Sequence, residues 1–140
     1  MKKMVELIPE FVESVPPELE DGVIYISMIY GTAIHKCCCG CGEKVVTPFS
    51  PTDWKLIFDG VSISLDPSIG NWSFACKSHY WIRHNRIMWA PRWSQKQIDA
   101  GRARDRAEKK RYFKTGDIET GHMTEGKKGF WRKLIKWLSQ

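Results

Sequence analysis

The chain has 140 residues, 42% hydrophobic and 12% aromatic, with 22 Lys and Arg against 16 Asp and Glu for a net charge of +6. That length suits one domain plus a tail and can bury a real core, which excludes a mini-protein that needs metal or disulfides merely to fold. No apolar run approaches the roughly 18 residues of a membrane-spanning helix, and Met1-Lys2-Lys3 leads into Glu6, Pro9 and Glu10 instead of an export signal, so a cytoplasmic protein is expected.

Pro9, Pro16 and Pro17 break up any long helix near the start. Phe11–Val15 reads as a short strand, and Val23–Tyr30, dense in β-branched and aromatic residues, as a buried one. Further strands are expected at Lys44–Thr47, at Trp54–Phe58 and Val61–Leu65 across the hairpin dipeptide Asp59-Gly60, at Trp72–Cys76, at Tyr80–Arg83 and at Arg86–Ala90. Short strands at close intervals predict a mostly β domain over residues 1–91, a small barrel or sandwich.

The character of the chain changes at Pro91. Ser94 can cap a basic helix over residues 92–114, charged nearly all round. Residues 115–129 read as a linker, and residues 130–140 as an amphipathic basic tail helix. Trp131, Leu134, Ile135 and Leu138 form its apolar side, opposite Arg132, Lys133 and Lys136. Such a tail suits an anionic membrane surface, a partner groove, or a return onto its own domain.

The densest chemistry is His35-Lys36-Cys37-Cys38-Cys39-Gly40-Cys41-Gly42, followed at a distance by Cys76-x-x-His79. In a reducing compartment clustered thiols read as metal ligands, and neighbouring cysteines are poorly placed to bridge one another. Zinc sites commonly take two ligands from a tight turn and two from a second element. Cys37, Cys38, Cys39, Cys41 and His35 compete for about two positions, and spacing alone does not choose among them. The candidate set is Cys37, Cys39 and Cys41 with Cys76 and His79, and the expected ion is zinc in a closed structural site.

Cys76-x-x-His79-Tyr80-Trp81 also resembles the second box of Rieske proteins, which implies a Rieske-like β-fold and, as an alternative, an iron–sulfur cluster. The first box departs from that pattern, because Cys39-Gly40-Cys41 puts cysteine where a Rieske box has histidine.

The run from Gly22 to Trp89 resembles a bacterial family of unknown function. Its hallmarks are an H-x-C-x-C-G-C-G box, a V-V-T-P-x-S-P segment, S-I-G-N-W and C-x-S-H-Y-W-I, which map onto His35–Gly42, Val45–Pro51, Ser68–Trp72 and Cys76–Ile82. The resemblance implies a metal-binding protein. Some relatives are thought to lie beside genes for a ubiquitin-like protein, an E1-like enzyme and an E2-like protein. An accessory or adaptor role in a ubiquitin-like conjugation system, with one of those proteins as partner, follows from the resemblance.

Two other function classes have some footing. Trp54, Trp72, Tyr80, Trp81 and Trp89, with Arg83, Arg86, Arg92 and the basic run Arg102–Arg111, have the make-up of a nucleic-acid-binding module. A metalloenzyme would need an open coordination position and a nearby base, yet the chain lacks His-Glu-x-x-His, a phosphate-cradling glycine motif and a G-x-S-x-G elbow. No catalytic residue is assigned from the sequence, and a non-enzymatic role is expected.

Overall fold

The computed structural model describes residues 2–119. Among these, eight strands precede one helix: β1 (Ile8–Phe11), β2 (Val23–Ser27), β3 (Thr32–Lys36), β4 (Lys44–Pro48), β5 (Lys55–Phe58), β6 (Ile63–Gly70), β7 (His79–Arg83), β8 (Arg86–Trp89) and α1 (Gln95–Glu119). The chain divides into two units, residues 1–100 and 101–140. All strands and the first six residues of α1 belong to the first unit; the described part of the second is the continuation of α1.

The strands form two four-stranded sheets, ordered β1-β2-β3-β4 and β5-β6-β7-β8. β1 runs parallel to β2, and every other pairing is antiparallel. One apolar cluster draws on both sheets, with Ile24, Ile26, Ala33 and Val45 from the first and Ile63, Leu65, Ile69, Tyr80, Ile82 and Ile87 from the second. Two sheets sharing one core are the layers of a β-sandwich rather than a closed barrel. The mostly β expectation therefore holds.

Individual elements differ from the expectation in instructive ways. Val23–Tyr30 is not one strand: β2 stops at Ser27, and residues 28–31 turn the chain into β3. The turn carries exposed Met28 and Ile29, so the apolar run passes straight through it and hydropathy cannot mark it. Ser27 Oγ, which accepts from the Tyr30 N–H at 3.2 Å, and Gly31 at φ 61° close the turn instead. The first strand lies at Ile8–Phe11 rather than Phe11–Val15, where Ile8 and Phe11 pair with Val23 and Ile26. Trp72–Cys76 is a pair of turns rather than a strand, closed by Phe74 N–H to the Asn71 carbonyl and Lys77 N–H to the Phe74 carbonyl, both 3.1 Å.

The hairpins at Asp59-Gly60 and His84-Asn85 form as local chemistry dictates. Asp59 Oδ1 accepts from the Val61 and Ser62 N–H groups at 2.9 and 2.6 Å, and these bonds hold its carboxyl well below the usual range. His84 and Asn85 both have positive φ, 48° and 67°, the conformation of a two-residue turn that matches strand twist.

α1 begins with a capping box. Ser94 Oγ accepts from the Gln97 N–H at 3.2 Å, while Gln97 Oε1 accepts from the Ser94 N–H at 2.8 Å. Ile98 is buried, but from Ala103 to Lys114 the side chains are exposed. The helix runs past the expected end at residue 114 to Glu119; the rest of the expected 115–129 linker and the 130–140 tail helix lie outside the described residues. No helix among the described residues is long and apolar enough to cross a membrane.

Candidate functional site: a thiol cluster beside a serine–histidine pair

The thiol box is the loop between β3 and β4. Cys37 N–H donates to the Glu43 carbonyl at 2.8 Å and Gly40 N–H to the Cys37 carbonyl at 3.1 Å, closing a tight loop in which Gly40 and Gly42 take φ of 90° and 84°. A side chain at either glycine would be strained there. The loop brings alternate residues Cys37, Cys39 and Cys41 to one side. The Asn71–Ser78 loop, pinned by Asn71 N–H to the Ser78 carbonyl at 2.8 Å, brings Cys76 to meet them.

The ligand atoms of Cys37, Cys39, Cys41 and Cys76 all lie within 4.8 Å of one another. Four thiolates at about 2.3 Å from a tetrahedral ion would stand about 3.8 Å apart. The Cys37–Cys39, Cys37–Cys76 and Cys41–Cys76 sulfur separations are 3.5, 3.8 and 3.9 Å. The donor set therefore fits a thiophilic metal. Cys38 is fully buried in the core, where burial pushes its thiol up to about 12.

Polar groups around the cluster suit thiolates. Ser78 Oγ donates to Cys76 Sγ at 3.1 Å, Cys41 N–H to Cys39 Sγ at 3.3 Å, and Asn71 Nδ2 to Cys37 Sγ at 3.6 Å. Burial pushes the Cys37 thiol well up and raises that of Cys41. Desolvation acts upward on Cys39 as well, but hydrogen bonds from Ser78, Cys41 and Cys37 outweigh it and bring that thiol down to about 7. A cation at the centre would favour the thiolate form of all four.

His35 does other work. It is the fourth residue of β3, fully buried, paired with Ile24 and Val45. Its Nε2 is 2.8 Å from the Tyr80 hydroxyl, and burial drives its pKa down to about 3, so it is a neutral core histidine. The Tyr80 hydroxyl also lies 3.5 Å from Cys38 N and from Asn71 Nδ2. This buried network ties the thiol loop to β7.

His79 opens β7, three residues after Cys76. Its Nε2 is 3.0 Å from Ser68 Oγ, and its Nδ1 is 3.4 Å from the carbonyl oxygen of Pro91. Ser68 belongs to β6, where the pairing with β7 shifts register between Leu65 and Ile69. Such an irregularity re-aims side chains. Gly70, two residues on, pairs with His79, so Ser68 and His79 are diagonal neighbours on the face turned away from Ile69 and Tyr80. Burial lowers the pKa of His79, partly opposed by the Pro91 carbonyl. A neutral imidazole protonated on Nδ1 can donate to Pro91 and accept the Ser68 hydroxyl proton on Nε2.

A second serine–histidine contact has the wrong order. Ser62 Oγ is 3.2 Å from His84 Nδ1, but Asp59 Oδ2 approaches that same nitrogen at 3.4 Å and also accepts from Ser62 Oγ at 2.8 Å. With serine and carboxylate on one nitrogen, the imidazole cannot relay between them. The group is an exposed hairpin cap.

A serine in contact with a histidine thus lies in the same fold as a four-thiol cluster that could hold a metal ion. Residues 11–90, more than half of the chain, match a family model described as bacterial ubiquitination-like system serine protease (BubE). The chain belongs to the BubE family. Neither a curated protein nor a solved structure matches it. BubE membership links the chain to bacterial ubiquitination-like systems, in line with the expectation from its motifs.

Of the five residues expected to bind metal, the structure gathers Cys37, Cys39, Cys41 and Cys76 and turns His79 to Ser68. Sequence reasoning missed Ser68 altogether. It lies in the S-I-G-N-W segment singled out in the sequence, but ten residues separate it from His79, and the Cys-x-x-His spacing drew that histidine toward the metal.

Proposed function

We propose that this BubE-family chain is a serine hydrolase of a bacterial ubiquitin-like conjugation system, cleaving an amide or ester bond made by a ubiquitin-like protein. Ser68 is the nucleophile and His79 the general base. The observation that carries this reading is the 3.0 Å contact between Ser68 Oγ and His79 Nε2, and the description of the family model as a serine protease supports it.

In this reading Nε2 takes the hydroxyl proton as Oγ attacks the scissile carbonyl, then returns it to the leaving group. An imidazole kept neutral by its surroundings is ready to act as base at neutral pH. Cys37, Cys39, Cys41 and Cys76 hold one zinc ion that fixes the thiol loop and the run into β7. The ion has no place in the chemistry, because four thiolates leave it no open position. Five free cysteines suit a reducing cytoplasm.

The partner is a ubiquitin-like protein of the same system, alone or joined to its E1-like or E2-like protein. The test is incubation of the protein with that ubiquitin-like protein fused to a reporter. Cleavage by the wild type and none by Ser68→Ala is expected. Equal cleavage by both would overturn the assignment of Ser68, and binding without cleavage by the wild type would return the chain to an adaptor role.

A further inference from the structure

Among the described residues no carboxylate meets His79 Nδ1; the groups next to that side of the ring come from Pro91 and Trp93, beyond residues 11–90. The Ala90 N–H donates to the His79 carbonyl at 2.9 Å, which registers the lead-in to α1 on the strand at the histidine itself. Pro91 follows, and its carbonyl turns back to His79 Nδ1 at 3.4 Å. Trp93 then lays its indole on that of Trp72, with centroids 5.1 Å apart and planes 15° from parallel. Both indoles meet the His79 ring edge-on at 4.9 Å.

Each half of this stack is held from behind. Trp72 lies against the backbone of Gly70, where a Cβ would come 2.4 Å from the indole, so only glycine admits it. Trp93 is followed directly by the Ser94–Gln97 capping box, and buried Ile98 anchors the helix start. Trp81, two residues along β7, closes a third side at 5.7 Å.

We propose that Pro91 and Trp93 complete the Ser68–His79 pair as positioning residues. The Pro91 carbonyl fixes the imidazole with its proton on Nδ1, and the Trp72–Trp93 stack holds the ring edge toward Ser68 while keeping water off it. This rests on the serine hydrolase reading and adds to it a part of the chain outside the family match. A backbone carbonyl cannot itself become charged, so it sets tautomer and direction without the stronger stabilisation of an imidazolium that a carboxylate gives.

The test compares wild type, Trp93→Leu, which keeps apolar bulk but loses the stacked ring, and Trp93→Phe, which keeps a ring. The rate of Ser68 phosphonylation by a fluorophosphonate, in which Oγ displaces fluoride from phosphorus, is followed against pH. Among the described residues, the groups facing His79 are Ser68 from β6, the Pro91 carbonyl, Trp72 and Trp93 from the flanking loops, and Trp81 on its own strand. The Arg83 guanidinium stands over Trp81 at 6.0 Å from its centroid. Trp93→Leu is expected to react about tenfold or more slowly, with its acid limb moved to higher pH, and Trp93→Phe to recover most of the rate.

Nitrogen-15 NMR of the His79 ring is the second readout, expected to show Nδ1–H in the wild type and a mixture of tautomers in Trp93→Leu. A folded Trp93→Leu protein with wild-type rate, pH midpoint and ring shifts overturns the proposal. A wild type that never reacts overturns the hydrolase reading, and with it the catalytic role of Pro91 and Trp93. The ring shifts then decide whether Trp93 holds the imidazole.

Discussion

Cys76 and His79 stand three residues apart and serve different partners: the sulfur lies 3.8 Å from Cys37 Sγ, and the imidazole lies 3.0 Å from Ser68 Oγ. Between them Ser78 donates to the Cys76 sulfur, and just after them Tyr80 bonds the buried His35. One short segment thus joins a thiol cluster, a serine–histidine pair and the core. Disturbing the cluster should be felt at Ser68 through His79.

Loss of Cys76 tests that coupling. Cys76→Ser should release the metal, measured by elemental analysis, and lower thermal stability by several kcal/mol, since metal binding and folding are linked. Reaction of Ser68 should fall with it. Cys38→Ala makes the contrast, because Cys38 lies in the core and outside the cluster. It should keep one zinc per chain at a cost of roughly 1–2 kcal/mol from a small cavity. Metal loss in Cys38→Ala with retention in Cys76→Ser would overturn the ligand set. A red-brown protein carrying iron would overturn zinc.

Activity should depend on pH through His79. The base is its neutral form, which prevails above its pKa and is lost as pH falls through it. Burial lowers that pKa below the ordinary 6.5. The acid limb of kcat/KM should therefore fall below pH 6.5, and His79→Gln should abolish activity without moving the melting temperature by more than a few degrees. A limb well above 6.5 would contradict a desolvated base.

Tyr80→Phe probes the buried network. Removing the hydroxyl leaves His35 Nε2 without its partner at 2.8 Å, and His35 Nδ1 already has none. An expected loss of about 1–3 kcal/mol should appear in denaturant midpoints with the metal still bound. His35→Phe with Tyr80→Phe should cost less than the separate losses combined, because both buried polar partners then go together. Simple additivity would show that the two side chains are not coupled.

Gly70→Ala should act on activity more than its size suggests. The added methyl displaces the Trp72 indole, and with it a wall of His79. Slower phosphonylation of Ser68 is expected, accompanied by a changed tryptophan emission spectrum. Unchanged kinetics would show that Trp72 has no hold on the base.

Much of the fold was legible because strands advertise themselves locally. Ile63 and Leu65 alternate with polar residues and pair with β5, Asp59-Gly60 turns, and Ser94 caps, although the expected strand at Val61–Leu65 begins only at Ile63 because Val61 stands exposed in the turn, its N–H held by Asp59. The β2–β3 turn was not legible, since Met28 and Ile29 are apolar yet exposed, and the stop is made by one serine hydroxyl and a glycine. The four thiols were legible as chemistry, and Cys37, Cys39 and Cys41 were the expected members of the box; the reason Cys38 drops out lies in the backbone, which sends alternate side chains to the cluster and to the core. The Ser68–His79 pair depends on a register shift between β6 and β7, which no spacing rule encodes.

Whether His79 makes Ser68 a nucleophile is read from intact-mass analysis after exposure to a fluorophosphonate. One phosphonyl adduct per chain is expected, mapped by peptide sequencing to Ser68 and absent from Ser68→Ala and His79→Gln. An adduct on another serine, or an undiminished adduct in His79→Gln, would contradict it.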